Sequence, residues 1–530
     1  MAQAKFDFKW LLPDLSDLVF LGIFYLLFFL KPTFLFSDGS VGWQITTGNY
    51  IIDSHTIPHQ DIFTYTFPTR AWVDPEWFAH IIIAGLVRLG GLNLLAIISG
   101  SIIASLFFFL CQRCRKEGTH FLLVLVLVLI GELACAIHWL ARPLLVTLVG
   151  VYLFYVTCED FYRGTITLRR LLLIVLPFTL LWVNSHPGFP CGLAIITIYF
   201  VSALLEKVIY EQPPDSRPSA SDRLKGFGLC LTLTLLITLA NPYSFGIITY
   251  LSNYLQRREL MDVSLEFQSP IFHGAIHSAC LEVLFALVVV GLALNRNRLT
   301  LPSLLLTLAF AHLSLVSVRN IPLFVLIAVP TISRLFSKAH YLTQDQVTLP
   351  ALKPSLRSLA TAFFALDQRF SEMESRCKTH FWPLVSAVAL CAVAIGGGSL
   401  FGFKILRADF DQKLLPGATL ASIKRLNLDP HRGLNYDNWG GYINYKLGIP
   451  VFIDDRAPFY PTAFCAEYLL FNETMRGWDK LLDKYNIGWV LFPTDSNPVR
   501  ALRERPDWKL VDQDKCSSLF VRLGESNKGK

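Results

Sequence analysis

The sequence predicts a mainly α, polytopic helical membrane protein of about 11 spans, followed by a small C-terminal extracytoplasmic α/β domain. Apolar residues make up 53% of the 530 residues and charged residues only 16%, a balance that does not fit a water-soluble surface. Apolar runs such as 18–30, 121–133 and 276–294 reach about 20 residues with their flanks, which is enough to cross a bilayer. These runs do not alternate as barrel strands do, so they are predicted to be helices that satisfy their own backbone groups.

Basic residues concentrate in six places, all between or beside apolar runs. By the positive-inside rule these places are cytoplasmic. The formal net charge of +7 therefore reflects topology, and no nucleic-acid partner is expected. The six places are Lys5 and Lys9; Arg113, Arg115 and Lys116; Arg163, Arg169 and Arg170; Lys207, Arg217, Arg223 and Lys225; Arg296 and Arg298; and the stretch 334–378.

Spans that connect these basic loops through the opposite face give the predicted topology. Eleven such spans place the amino terminus in the cytoplasm and the carboxyl terminus outside. They are 15–36, 92–112, 119–141, 144–161, 169–186, 189–209, 225–241, 271–295, 300–317, 320–336 and 382–402.

The segment 77–89 is ambiguous, because it is apolar but short and ends at Gly90 and Gly91. As a full span it would place the basic loop at 111–118 outside and invert every later loop. We therefore interpret it as a juxtamembrane or re-entrant helix in the outer interface. A short, tilted span is the alternative.

This topology divides the chain into two predicted domains. Residues 1–402 form the transmembrane domain, with a first external loop at 37–76 and a cytoplasmic linker at 337–380 that contains one amphipathic helix. Residues 403–530 form the extracytoplasmic α/β domain, with strand-like pieces at 450–454 and 488–492.

The unusual polar residues fall almost entirely on the external face. Charges at membrane depth are expensive, so such residues are candidates for function. A structural role is equally open for Arg142 and Arg319, which could pair with Glu266 or Asp38. The candidates are Asp38, Asp61 and Glu76 in the first loop; Arg142, His186, Glu266 and Arg319 near later span ends; and Asp454 and Arg456 in the C-terminal domain.

Several other residues favour plain structural roles. Asp53 and Asp74 are expected to be solvated loop residues, and tryptophans such as Trp43 fit an interfacial aromatic belt better than a substrate platform. Cys111 and Cys114 form a CxxC pair, but no second pair or histidine lies at zinc spacing. No metal site is therefore predicted.

Asp38 differs from the other acids because it follows an apolar span directly. A carboxylate at that membrane surface suits a general base that must meet both a lipid-borne donor and a water-borne acceptor. A helix-end cap or an anchor for the loop is the structural alternative.

Ten segments spread over nearly the whole chain resemble a group of bacterial multi-span proteins related to the GT-C glycosyltransferases. They are 38–48, 57–66, 72–77, 141–143, 182–189, 241–243, 265–270, 319–322, 438–442 and 451–456. GT-C enzymes include oligosaccharyltransferases, protein O-mannosyltransferases and the lipid A aminoarabinose transferase. They place an acidic residue in the first external loop and take sugar from a polyprenyl-phosphate carrier, and Asp38 matches that acid.

The resemblance also has a departure. Many GT-C enzymes carry a paired acid or an acid and a histidine at this place, whereas Asp38 is followed by Gly39 and Ser40. No cofactor is therefore expected, a divalent metal is unsupported, and Asp61 or Glu76 is the candidate for a second carboxylate.

The resemblance implies a glycosyltransferase of the bacterial inner membrane that moves a hexosyl or pentosyl group. The implied partners are a polyprenyl-phosphate sugar donor, membrane lipid and an unknown glycan, lipid or protein acceptor. The implied roles are Asp38 as general base, Arg142 and Arg319 on the phosphate, Glu266 and His186 as orienting residues, Asp61 and Glu76 near the base, and Asp454 and Arg456 as contacts of the C-terminal domain. The rival hypothesis is a transporter or flippase of lipid-linked glycan, or a non-catalytic membrane scaffold.

Overall fold

The computed structural model describes residues 11–209, 218–256, 265–295, 299–337, 354–375 and 380–524. Several predictions fall on residues outside these ranges. They concern the basic residues Lys5, Lys9, Arg217, Arg296 and Arg298, the linker pieces 338–353 and 376–379, and the last residues, 525–530.

Helices occupy most of the chain up to residue 395, and each predicted span contains one. They are α1 (Leu15–Tyr25), α2 (Ser40–Ser54), α3 (Trp77–Lys116), α4 (Phe121–Cys135), α5 (Leu144–Tyr162), α6 (Leu168–Val183), α7 (Pro190–Ile209), α8 (Ala220–Ile237), α9 (Gly246–Gln256), α10 (Ile276–Asn295), α11 (Leu301–Val316), α12 (Ile321–Leu335), α13 (Pro354–Glu374) and α14 (Phe381–Ile395). Of these, α2 lies in the first loop, α9 follows α8 without having been predicted, and α13 lies in the predicted linker.

Within the described residues, six helices are long and apolar enough to cross a membrane. They are Trp77–Lys116, Phe121–His138, Leu144–Tyr162, Pro190–Ile209, Ile276–Asn295 and Val318–Leu335. Shorter apolar helices at Leu15–Leu30, Leu301–Val316 and Phe381–Ile395 add to them. The predicted multi-pass helical membrane protein is confirmed, although its orientation in the membrane stays a prediction.

Helix α3 is interrupted where the sequence predicts a break. Gly90 and Gly91 leave helical geometry, and Gly91 has φ +64°, which suits a residue without a Cβ. The segment 77–89 is therefore a separate helical arm before the long helix. Its position in the outer interface stays a prediction.

Ion pairs at one end of the bundle show which helix ends lie together. Arg334 at the carboxyl end of α12 lies 3.3 Å from Glu117 after α3 and 2.7 Å from Glu159 near the carboxyl end of α5. Arg113 also lies 2.6 Å from Asp160. Helices α3, α5 and α12 thus run in the same direction. We call the set Arg113, Glu117, Glu159, Asp160, Arg163 and Arg334 the inner network.

The C-terminal domain is a small α/β unit. Its four-stranded sheet consists of β3 (Gly433–Asn435), β4 (Trp489–Pro493), β5 (Trp508–Gln513) and β6 (Ser517–Arg522), in the order β3-β4-β6-β5. Strand β3 pairs parallel to β4, whereas β6 pairs antiparallel to both β4 and β5. A two-stranded hairpin, β1 (Ser399–Leu400) and β2 (Phe403–Lys404), straddles the predicted boundary at 402. The α-helices of the domain are α15 (Gly417–Arg425), α16 (Gly440–Leu447), α17 (Thr462–Asn472), α18 (Lys480–Lys484) and α19 (Asn497–Arg503).

One predicted strand is correct and one is wrong. The piece at 488–492 becomes β4, but 450–454 forms only an isolated bridge between Val451 and Thr64 of the first loop. The Asn435 side chain explains the difference, because its amide accepts from Phe452 N at 3.0 Å and donates to Ile453 O at 2.8 Å. The backbone groups that a strand partner would need are thereby occupied.

The first-loop helix α2 meets the start of α16 at very short range. A Cβ on Gly42 would lie 2.4 Å from Gly441 O, and one on Gly39 would lie 2.1 Å from Asn438 O. A Cβ on Gly441 would in turn lie 2.6 Å from the Trp43 ring. The segment 438–442 is therefore more than a tight turn, because its glycines dock the C-terminal domain onto the first loop.

We expect Gly42→Ala to destabilise this contact, because the new methyl group meets backbone that cannot rotate away. The expected cost is about 1–3 kcal/mol, read as a lower thermal unfolding temperature and faster proteolysis of the C-terminal domain in the detergent-solubilised protein. Gly85→Ala is the matched control, because nothing lies within 4 Å of its Cβ position. Equal behaviour of the two variants would contradict the close-contact interpretation.

Candidate functional site

Four charged side chains from four separate loops alternate in sign at the Asp38 end of the bundle. Arg142 Nη1 lies 2.5 Å from Asp38 Oδ2 and 3.6 Å from Glu266 Oε1, and Arg319 Nη1 lies 3.8 Å from Glu266 Oε2. We call this set the outer cluster. Its side chains are between 19% and 36% exposed, so solutes can reach them.

Backbone bonds between loops hold these residues in place. Ala141 N donates to Leu35 O at 3.0 Å, which ties the turn before Arg142 to the segment before Asp38. Val318 N donates to Gln268 O at 2.9 Å and Ser317 Oγ donates to Glu266 O at 2.8 Å. The predicted pairing of Arg142 and Arg319 with Asp38 and Glu266 is therefore present.

Asp38 also anchors the start of α2. Its Oδ1 accepts a hydrogen bond from Ser40 N at 2.8 Å and another from the Ser40 hydroxyl. Of the structural alternatives considered for Asp38, the anchor for the loop is thus present together with the ion pair to Arg142, whereas the N-cap of α2 is Gly39. One carboxylate performs both roles because its two oxygens face different partners.

A second group of acids and histidines lies beside the outer cluster. His80 Nε2 is 3.4 Å from Glu76 Oε2, His186 Nε2 is 3.6 Å from Glu76 Oε1, and His80 Nδ1 is 3.0 Å from Asp74 Oδ2. Trp77 Nε1 donates to Asn184 Oδ1 at 3.0 Å, which holds the first loop against the segment that carries His186. Glu76 and His186, both predicted candidates, are therefore brought together.

The contacts of His186 assign its tautomer. Its Nδ1 accepts from Gly188 N at 3.0 Å and lies 2.7 Å from Thr147 Oγ1. Trp182 Nε1 donates to that same Thr147 oxygen at 2.8 Å, so the hydroxyl proton points to His186. The ring proton of neutral His186 is then on Nε2, facing Glu76.

The first-loop acids differ in solvation. Asp53 is exposed and pairs with Arg88 at 2.7 Å, as expected for a solvated residue. The same expectation for Asp74 is wrong, because its side chain is 1% exposed and pairs with His80. Its backbone N–H also donates to the Tyr243 hydroxyl at 3.0 Å. His80 lies in the interior on the helical arm 77–89, and its ring nitrogen holds the Asp74 carboxylate there.

Asp61, Asp454 and Arg456 form a separate buried group, which we call the inter-domain clamp. Arg456 Nη2 lies 2.6 Å from Asp61 Oδ1 and 2.7 Å from Asp454 Oδ2. Its guanidinium also stacks over Phe63 and Trp72, with centroids at 4.5 and 4.7 Å. The geometry of these three residues supports a link between the first loop and the C-terminal domain. The substrate contacts predicted for them stay a prediction.

Asp455, between the clamp residues Asp454 and Arg456, bonds to the first-loop helix α2. Its Oδ1 accepts a hydrogen bond from Trp43 Nε1 at 2.9 Å, and it interacts electrostatically with Asp38 and Arg142. Trp43 is buried and packs edge-on to His80, with centroids at 5.0 Å. The sequence interpretation of Trp43 as part of an aromatic belt does not describe this interior position.

Neighbouring arginines determine the protonation states of Asp38 and Glu266. Burial disfavours ionisation of Asp38, but Arg142 and the bonds from Ser40 outweigh it and lower the pKa of Asp38. Burial likewise opposes ionisation of Glu266, and Arg142 with Arg319 lowers its pKa. Both carboxylates are therefore anionic at neutral pH.

The donor set of the outer cluster does not resemble a metal centre. Within the described residues, Asp14, Asp17 and His380 are the group whose ligand atoms lie within 4.8 Å of one another, and they surround the start of α1. Asp14 and Asp17 already cap that helix reciprocally. In the outer cluster a cation would have to displace Arg142 from Asp38.

Sequence reasoning missed His80 and Asp74 as site neighbours and did not connect Asp455 with the first loop. The signal for His80 was a histidine four residues after Glu76 on a helical arm, which places both on one face. The position of Asp455 near the first loop had no local signal, because 417 positions separate it from Asp38 and tertiary packing of the first loop against the C-terminal domain brings the two segments together.

Solved structures share this architecture at low sequence identity. The archaeal oligosaccharyltransferase AglB from Archaeoglobus fulgidus, in complex with an inhibitory peptide and a dolichol-phosphate, gives TM-score 0.54 at 12% identity, over 91% of this chain and 69% of that chain. ArnT from Cupriavidus metallidurans bound to undecaprenyl phosphate gives 0.50 at 12% identity, over 96% and 98%. Both are polytopic membrane proteins of the GT-C fold.

The chain has a GT-C fold. The fold predicted from the ten sequence segments is thereby confirmed. No protein-family model and no curated protein matches the chain, so the GT-C likeness is one of fold.

Removing Arg456 is expected to destabilise the junction strongly, because it leaves Asp61 and Asp454 buried without a counter-ion. We expect Arg456→Ala to cost about 3–5 kcal/mol. Arg522→Ala is the control, since Arg522 pairs with the exposed Asp483 and should lose about 0–1 kcal/mol. Thermal unfolding of the two purified variants checks this, and a similar small loss in both would refute the clamp.

Proposed function

We propose that this chain is a membrane glycosyltransferase that moves a sugar from a polyprenyl-phosphate-linked donor to an extracytoplasmic acceptor, with Asp38 as the general base. The observation that carries the proposal is the outer cluster, in which an anionic carboxylate stands next to guanidinium groups at the exposed end of a GT-C bundle. Support also comes from the fold neighbours AglB and ArnT, whose structures contain dolichol-phosphate and undecaprenyl phosphate.

In the proposed reaction, Asp38 accepts the proton of an acceptor hydroxyl as its oxygen attacks the anomeric carbon. The new glycosidic bond forms while the bond between that carbon and the phosphate oxygen breaks. The leaving phosphate takes the bonding electron pair. The atoms balance as one glycoside formed, one polyprenyl phosphate released and one proton on Asp38.

The two arginines are not equivalent in this proposal. Arg142 is held by Asp38 and Glu266, so it orients the base as well as contributing positive charge. Arg319 makes no hydrogen bond with another described residue, and its guanidinium lies 5.3 Å over the Phe267 ring. Its free donors suit a phosphate group, which a guanidinium binds through paired hydrogen bonds.

Glu266 and His186 complete the proposed site as orienting residues. Glu266 bridges Arg142 and Arg319, so it sets the spacing of the two guanidinium groups. His186 and Glu76 face each other beside the cluster and are proposed to line the acceptor path.

Asp38→Asn tests the base. An amide keeps the shape but cannot accept the proton, so we expect transfer to fall by roughly 10²–10⁴-fold. The measurement is transfer of labelled sugar from undecaprenyl-phosphate donors by membranes containing the full chain, with envelope glycans of a deletion strain analysed by mass spectrometry to identify the product.

Asp53→Asn is the matched control for Asp38→Asn, because it lies in the same loop but is exposed and bonded to Arg88. Full transfer by a well-folded Asp38→Asn protein would reject the base assignment. Translocation of lipid-linked glycan across vesicles without bond formation would instead favour a transporter.

Arg319→Ala tests the phosphate contact. Loss of a guanidinium that stabilises the leaving group should lower kcat/KM by roughly 10²–10³-fold, with the KM for the anionic donor rising. Arg319→Lys should recover part of the loss, since it restores charge but not the paired donors. Unchanged donor kinetics in Arg319→Ala, with Arg88→Ala as the exposed control, would remove Arg319 from the phosphate site.

A further inference from the structure

Helix α9 lies between the first loop and the outer cluster. The hydroxyl of Tyr243, just before this helix, accepts a hydrogen bond from Asp74 N at 3.0 Å. Near the other end of the helix, the ring of Tyr254 lies edge-on to the ring of Phe267, with centroids 6.0 Å apart. Phe267 directly follows the cluster residue Glu266 in the chain. The helix therefore extends from the acids of the first loop to the outer cluster.

The two faces of α9 differ in exposure. Ile247, Tyr250 and Tyr254 follow one another at spacings of three and four residues, so they share one face of the helix. Ile247 is 1% exposed and the two tyrosines are partly exposed. Leu255 lies off this face and is 68% exposed. The tyrosines are thus turned toward the protein while part of their surface stays accessible.

The two tyrosines continue a series of aromatic rings that begins beside Arg319. The Arg319 guanidinium lies 5.3 Å over the ring of Phe267, which is followed by Tyr254. The Tyr250 ring lies 6.4 Å from the Tyr254 ring and is inclined to it by only 20°. We call Phe267, Tyr254 and Tyr250 the aromatic strip. It leads from the proposed phosphate contact along α9 toward the first loop.

The aromatic strip has the chemistry of a carbohydrate-binding surface. Aromatic faces carry partial negative charge, so they attract the apolar, weakly positive C–H groups on one side of a sugar ring. A tyrosine hydroxyl can also donate to or accept from a sugar hydroxyl. Neither the Tyr250 nor the Tyr254 hydroxyl makes a hydrogen bond with another residue in the described ranges. A prenyl chain would use the rings but not these hydroxyls.

We propose that Tyr250 and Tyr254 bind the ring of the sugar carried by the polyprenyl-phosphate donor. This inference rests on the proposed function, which assigns the donor phosphate to Arg319. The sugar is joined directly to that phosphate, so its ring must lie beside Arg319 when the phosphate is bound there. Phe267 packs against the guanidinium, and the tyrosines supply the next accessible rings.

The test compares two kinds of lipid that differ only in the sugar. Undecaprenyl phosphate alone, and undecaprenyl phosphate carrying glucose, mannose or arabinose, are titrated into the purified full-length protein in detergent to obtain Kd values. The wild type should bind at least one sugar-carrying lipid more tightly than the bare lipid. Tyr254→Ala should weaken that binding roughly 3–10-fold, as expected for one aromatic contact, and leave the bare lipid unaffected. Tyr250→Ala should act in the same way.

Two further variants separate the ring from the helix that carries it. Tyr254→Phe keeps the ring, so it should keep most of the preference for the sugar-carrying lipid. Leu255→Ala is the matched control, because it shortens an exposed neighbour on the same helix and should keep all of it. Thermal unfolding of each purified variant shows whether it is folded. Equal losses in Tyr254→Phe and Tyr254→Ala, or a loss in Leu255→Ala, would overturn the stacking of the sugar.

The remaining outcomes distinguish this inference from the proposed function. If Tyr254→Ala weakens both kinds of lipid equally, the strip contacts the prenyl chain or the phosphate, and the sugar site is wrong even when the wild type transfers sugar. A wild type without preference for any sugar-carrying lipid also overturns it. A preference that Tyr254→Ala removes, in a protein that forms no glycosidic bond, supports the sugar site and rejects the transferase.

Discussion

Backbone contact between the first-loop helix and the C-terminal domain is the constraint on which the candidate site depends. Helix α2 begins at Ser40, directly after Asp38, and its glycine face touches the glycine start of α16. Glycine is required because any Cβ at Gly42 or Gly441 would overlap a neighbouring atom. This contact fixes the distance between a span end and a domain that are far apart in the sequence.

Electrostatic pairing then determines what the fixed geometry can do. Asp38 is ionised because Arg142 stands beside it, and Arg142 is in turn shared with Glu266. Arg319 closes the row through its 3.8 Å ion pair with Glu266, but its guanidinium donates no hydrogen bond to another described residue. The cluster thus combines a carboxylate that accepts protons with a cation able to bind an anion, which transfer from a phosphate carrier requires.

The sequence predicted where the spans and the polar residues lie better than it predicted which side chains contact one another. Charge patterning placed the spans, because hydrophobic length and basic loops are local properties of the chain. It also grouped Asp38, Arg142, Glu266 and Arg319 on one face, and the structure pairs them. Helix α9 was missed because it is too short and polar to resemble a span.

The missed contacts all depend on tertiary packing. A strand was expected at 450–454, but the Asn435 side chain occupies its backbone groups. Asp74 was expected in water, but His80 holds it inside. In both cases one side chain distant in sequence, or on the next helix, overrides the local pattern.

The two charged groups at opposite ends of the bundle differ in a way that separates structure from function. The inner network balances its acids and arginines one for one, and its central Glu159 and Arg334 are 0% and 4% exposed. It also receives hydrogen bonds from Tyr199 and Ser303, so both carboxylate oxygens of Glu159 are hydrogen-bonded within the protein.

The Asp38 end is different because acids outnumber arginines and exposure is higher. Asp38, Glu76, Glu266 and Asp455 accompany Arg142 and Arg319 there. An unbalanced, accessible set is costly to keep, and an anionic ligand on Arg319 would add still more negative charge. The contact between Arg319 and Glu266 is nevertheless 3.8 Å long, against 2.7 Å between Arg334 and Glu159, so the outer cluster leaves a cation available to a ligand where the inner network does not.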